Sequence, residues 1–110
     1  MNLSLNISVY LFKEDSTVIA YCPSLDLSGY GLTSKEAKDS FGIVLQEYLD
    51  YGIQHGTLCK DLQDHGWTIN NKTTTEPKVN KLLTQNSTFK SVLQMPKYTK
   101  FSKRIANLVI

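Results

Sequence analysis

Leu3, Leu5, Ile7, Val9 and Leu11 recur at every second position, with Ser4, Asn6, Ser8 and Tyr10 between them. A period of two sustained over nine residues places all five apolar side chains on one side of a pleated strand. A helix would scatter them around its circumference. The spacing therefore predicts a strand with one buried face at the start of the chain. The polar run Lys13-Glu14-Asp15-Ser16 reads as a turn, and Thr17-Val18-Ile19-Ala20-Tyr21-Cys22 as a second strand. This second segment is more apolar throughout, which suits a central position in a sheet. The short connection predicts an antiparallel hairpin.

Pro23-Ser24 interrupts this strand because proline donates nothing to a ladder. Residues 25–31 read as a short third strand or a bulged continuation, in which Gly29 and Gly31 flank Tyr30. Such glycines permit a bulge or the close approach of another backbone. Thr33 followed by Glu36 has the spacing of a capping box at a helix start. Ala37, Phe41, Val44, Leu45, Tyr48, Leu49 and Gly52 then follow steps of three and four, so a helix from 34 to about 54 buries one stripe. Leu58 and Leu62 mark a shorter helix that stops at Gly66, and Trp67-Thr68-Ile69 a short strand.

The expected fold class is thus α+β. A three-stranded antiparallel sheet is joined by one long helix, a short second helix and an added strand, over residues 1–70. Residues 71–78 read as a polar linker ending at Pro77-Lys78. Residues 79–110 read as a basic tail: Val79, Leu82 and Leu83 at helical spacing, a second short helix capped at Asn86-Ser87 with Phe89, Val92 and Leu93 inward, and a strand over 104–110. A terminal strand this apolar needs a partner.

Charge divides the chain the same way. Residues 1–71 hold four lysines against nine carboxylates, or −5; residues 72–110 hold eight cations against Glu76 alone, or +7, giving the overall +2. Such asymmetry suits a basic target for the first part and an anionic one for the second, or a tail lying on its own acidic body. With 110 residues, 41% of them hydrophobic, the chain suits one small core, which a dimer or a partner would help to stabilise. The N-terminal residues lack the basic region and apolar run of a signal peptide, and nothing approaches the roughly 18 apolar residues of a membrane span. Cys22 and Cys59 are too few for a disulfide framework or a structural zinc site. A cytoplasmic location, with no membrane association, no metal and no cofactor, is the expectation.

The run Tyr21-Cys22-Pro23-Ser24-Leu25-Asp26-Leu27-Ser28-Gly29-Tyr30-Gly31-Leu32-Thr33-Ser34-Lys35-Glu36-Ala37 resembles the signature of the HicB antitoxin family. There a strand ends in Tyr-x-Pro, a polar or acidic residue and Leu, and a Gly-x-Thr-x-x-Glu-Ala helix start follows. The resemblance spans about residues 5–69. It implies a partial RNase H-like fold and a protein that binds and blocks a small basic RNA-cleaving toxin of double-stranded-RNA-binding type. Many such proteins also carry a C-terminal module that binds operator DNA. Two features depart from the pattern: Asp26-Leu27 stand where Pro-Gly is frequent, and Leu32 where an acid is. The tail shows no helix-turn-helix, and is similar to the short helical tails ending in a strand of other members.

A nuclease of RNase H type would need a carboxylate cluster holding two metals. Glu14, Asp15 and Asp26 fall in turns, while Glu36, Glu47 and Asp50 fall on a wet helix face, so catalysis is not expected. His55, Cys59 and His65 meet no requirement for an activated thiolate, and histidines at helix ends suit bonds to terminal carbonyls. Tyr21, Pro23, Asp26, Tyr30 and Trp67 are the candidate residues for a protein partner, with buried packing as the plainer role for Trp67. Lys97, Lys100, Lys103 and Arg104, interleaved with Tyr98 and Phe101, are candidates for nucleic-acid phosphates, with a solvated strand face as the plainer role. The expected function is antitoxin-like neutralisation of a small basic toxin, in a chain that forms homodimers or higher oligomers. The alternatives are a transcriptional regulator working through the basic tail on operator DNA, and a stand-alone dimeric binding module without a toxin.

Overall fold

The computed structural model describes residues 2–110. The chain runs β1 (Asn2–Glu14), β2 (Thr17–Cys22), β3 (Leu27–Gly31), α1 (Ser34–His55), α2 (Leu58–Asp64), β4 (Thr68–Asn70), β5 (Thr73–Thr75), α3 (Val79–Gln85), α4 (Ser87–Leu93) and β6 (Thr99–Val109). β1 and β2 form the expected hairpin, closed where Glu14 pairs with Thr17. Asp15 turns the chain at φ 56°, a left-handed conformation that aspartate tolerates better than most residues. Asp26, at φ 54°, does the same before β3 pairs antiparallel to β2.

Helix α1 starts on the predicted capping box: the Glu36 amide donates to Thr33 Oγ1 at 3.1 Å, and the Glu36 carboxylate accepts from the Leu32 amide at 2.7 Å. It stops at Gly56, whose φ of 66° only glycine adopts freely. Gly29 and Gly31 serve the close approach of a second backbone. A Cβ on Gly29 would lie 2.2 Å from the Phe41 amide nitrogen, so α1 rests directly on β3.

Among the described residues the chain has four helices, as expected, but the sheet has six strands, against an expected sheet of three with an added strand. β1 is its centre. One edge of β1 carries β6, antiparallel from Asn2↔Val109 to Leu11↔Thr99. The other edge is shared by β2, at residues 10–14, and by β5, parallel at Ser4. The stretch read as linker thus supplies a strand, and the terminal strand begins at Thr99 rather than near 104.

Alternation along β1 sorts the two faces. Leu3, Leu5, Ile7, Val9 and Leu11 meet Phe41, Leu45 and Leu49 of α1 and Leu58 and Leu62 of α2. The other face of β1 is not wet throughout. Tyr10, Phe12 and Tyr21 are buried beneath Leu82, Phe89 and Val92 of α3 and α4. The result is a sheet between two helical layers. Among the described residues no helix is long and apolar enough to cross a membrane.

Candidate functional site

The residues singled out around the Tyr-x-Pro motif divide sharply. Tyr21, Pro23 and Trp67 are buried, and Trp67, 3% exposed, donates from Nε1 to the Ser24 carbonyl at 2.9 Å. They pack at the junction of β2, β3 and α2, which is the plainer role expected for Trp67; of the three, Pro23 still lines a surface pocket, together with Asp26 and Asn86. Trp67 is buried because the turn after α2 drops it into the core formed by α1, α2 and β1. Tyr21 OH donates to Asp26 Oδ1 at 3.0 Å and accepts from Asn86 Nδ2 at 2.6 Å. Burial, with Asp26 beside it, pushes this hydroxyl up to about 12. Asn86 also caps α4 by accepting from the Phe89 amide. Asp26 itself is exposed, and Tyr30, 57% exposed, projects from β3.

The basic segment is also divided. Lys97 precedes β6, and the other three cations lie within it. Register with β1 sets Lys100 against Tyr10 and Arg104 against Asn6 on one face of the sheet, and Lys103 against Ile7 on the other. Lys100 Nζ stands 6.0 Å from the Tyr10 ring, within cation–π range. The strand therefore presents no single face carrying all its charges. Among the described residues, none of these four cations belongs to an ion pair.

Carboxylates dominate the outward side of the other helical layer. Glu36, Asp39, Glu47 and Asp50 of α1 and Asp64 of α2 are exposed, and Asp61 is half-buried. Lys35 pairs with Asp39 at 2.7 Å and Lys60 with Asp64 at 3.1 Å. Where α1 and α2 meet, Tyr48, Tyr51, Gly52, Leu58, Asp61 and Asp64 line an open groove of about 410 Å³. The groove exists because Gly52 lets α2 come close: a Cβ there would lie 3.1 Å from Leu58 Cβ. Tyr48 OH donates to Asp61 Oδ2, and burial together with this bond holds the phenol protonated well above its ordinary range. Tyr51 stacks on His55 with ring centroids 4.0 Å apart and remains 62% exposed. Sequence periodicity assigned Tyr48 to the buried stripe and gave no role to Tyr51. The only signal was that Tyr51, like Ile43, falls outside the apolar three-four stripe of α1.

A second polar cluster lies inside. The carboxylate of Glu76 accepts from the Ser8 amide at 3.0 Å, from Ser8 Oγ at 2.9 Å and from Ser24 Oγ. Cys22 lies 3.5 Å from Ser24 Oγ, and burial pushes its thiol up to about 12. A thiol so buried and protonated is not a nucleophile. His55 and His65 each bond through Nδ1 to the carbonyl four residues back, both at 2.8 Å, as helix-end histidines do. Among the described residues, no group of three or more His, Cys, Asp and Glu is placed to hold a metal ion. No protein-family model, curated protein or solved structure matches this chain.

Proposed function

We propose that this chain is an antitoxin of HicB type, which binds and neutralises a small basic RNA-cleaving protein through its acidic helical layer. The observation that carries the reading is the outward face of α1 and α2. It combines six carboxylates, three lysines and two exposed apolar side chains beside a groove. Complementary charge accelerates encounter with a basic protein and disfavours nucleic acid, whose phosphates this face repels. The resemblance of residues 21–37 supports the same reading, since that run forms the β2–β3–α1 corner on which the helical layer is mounted. A regulator acting through β6 is less well supported, because Lys100 and Arg104 face away from Lys103.

The test is neutralisation. A small basic protein encoded beside this chain is expressed alone and with it, and growth is followed. Arrest by the first and recovery with both supports the proposal. Arrest that this chain leaves unrelieved, or no arrest together with no complex at low salt, overturns it.

A further inference from the structure

The α1–α2 groove is shaped and charged for one kind of guest, and we infer that it receives a cationic side chain, an arginine, from a basic protein partner. The inference rests on the proposed binding of such a protein, and gives that binding its anchor. Tyr51, stacked on His55 through one face, supplies an exposed ring beside the groove, and a guanidinium plane stacks on such a ring as well as being attracted to its face. Asp61 and Asp64 lie in the same lining, where they outnumber its one cation, Lys60. Asp61 Oδ2 takes the Tyr48 hydroxyl and lies 3.5 Å from His65 Nδ1, while Oδ1 accepts no hydrogen bond among the described residues. Asp64 is held only by Lys60, through a pair whose side chains are 79% and 62% exposed. An exposed pair of this kind stabilises little and yields readily to a planar, bidentate competitor.

Other guests fit less well. An aliphatic side chain would cover the apolar walls but strip water from two carboxylates without replacing their partners. An ammonium would match the charge but neither stack nor bond both oxygens of one carboxylate. Ile43, 63% exposed and also outside the buried stripe of α1, offers further apolar surface to the partner.

The experiment is a titration of the full chain, followed by amide chemical shifts, with N-acetyl arginine, lysine and leucine methylamides. Saturable shifts centred on Tyr51, Gly52, Leu58, Asp61 and Asp64, with arginine at least threefold tighter than lysine and leucine without effect, are expected. Tyr51→Ala and Asp64→Asn, both at surface positions, should each weaken arginine at least fivefold while leaving the melting curve near that of the parent. Shifts spread evenly over all the acidic positions, or leucine equal to arginine, overturn the inference. With a basic protein in hand, the double variant should bind it at least tenfold more weakly. A protein bound equally well by the double variant overturns the groove and leaves the proposed function standing. An arginine-selective groove in a chain that relieves no toxin does the reverse.

Discussion

Ser8 and Glu76, 68 residues apart, complete one strand edge: the Ser8 amide, lying between the parts of β1 that pair with β5 and β2, donates to the Glu76 carboxylate at 3.0 Å. Ser8 Oγ and Ser24 Oγ converge on the same carboxylate. Glu76 is the only acid in the last 39 residues, and it serves the sheet rather than the surface. Glu76→Ala leaves three donors without their acceptor in a partly buried place. That should destabilise the fold by about 2 kcal/mol, read from urea unfolding. Glu76→Gln, which keeps one acceptor oxygen, should cost about half as much. A loss below about 0.5 kcal/mol for the alanine variant would mean that water replaces the carboxylate.

Two glycines should respond to alanine with opposite signs. At Gly29 the new Cβ would meet Phe41 N at 2.2 Å, Phe41 Cα at 2.6 Å and the Ala37 carbonyl oxygen at 2.7 Å. All three are backbone atoms of a helix and cannot turn aside. Gly29→Ala should therefore destabilise by at least about 3 kcal/mol or prevent folding. At Gly42, inside α1, a Cβ meets nothing within 4 Å. Gly42→Ala should stabilise by roughly 0.5–1 kcal/mol, the ordinary helix-propensity gain. Thermal melts of the two variants beside the parent decide both.

The β1–β2 hairpin and α1 were legible because each is a long pattern with its own punctuation: strict alternation and a polar turn in one, a capping box and a three-four stripe in the other. The Asn86 cap was legible for the same local reason. β5 was not. Thr73-Thr74-Thr75 carries no apolar signal, and its strand geometry comes from pairing with β4 and, at Ser4, with β1. The start of β6 was hidden likewise, since Thr99-Lys100 becomes strand only by lying beside Leu11 and Tyr10. For the site, composition gave the acidic character of the first part. It could not tell which aromatics are outside: Tyr30 and Tyr51 are exposed while Tyr21 and Trp67 are buried. That distinction depends on how α1, α2 and β3 meet, as does the groove itself, which needs Gly52 against Leu58.

Alkaline pH should unfold the protein earlier than a chain without buried phenols and thiols. Burial raises the Cys22 thiol from its ordinary 9.0 to about 12, and the Tyr21 hydroxyl from 10.0 to about 12. Tyr10 and Tyr48 are raised as well, again chiefly by burial. The folded chain therefore holds these protons where the unfolded chain has released them. The stability they contribute is complete below pH 9, and declines from there as pH rises towards 12. Urea midpoints between pH 7 and 11.5 should be level at first and then fall. Cys22→Ala should move the onset of the fall from about pH 9 towards pH 10, leaving the tyrosines to govern the rest. A midpoint that stays level to pH 11 would show that the interior admits hydroxide without unfolding.

The basic C-terminal strand should prove indispensable to the fold while its charges do not. β6 covers one edge of β1 along its register from Asn2 to Leu11, and Phe101, Ile105, Leu108 and Ile110 pack against the main core. Removing residues 99–110 strips four apolar side chains from that core and leaves the β1 edge unpaired. At roughly 1 kcal/mol for each partly buried side chain, before any ladder bonds are counted, the loss is comparable with the 5–15 kcal/mol that a typical domain possesses. The truncated chain should therefore be unfolded or aggregated, with the near-ultraviolet signal of its buried Trp67 lost. Ile105→Ala alone should cost about 1–2 kcal/mol. By contrast, Lys100→Gln and Arg104→Gln, exposed and in no ion pair, should each change stability by less than about 0.5 kcal/mol. If the truncated chain instead melts cooperatively near the parent temperature, β1 keeps its place through β2 and α1 alone, and β6 is an addition to a domain already complete without it.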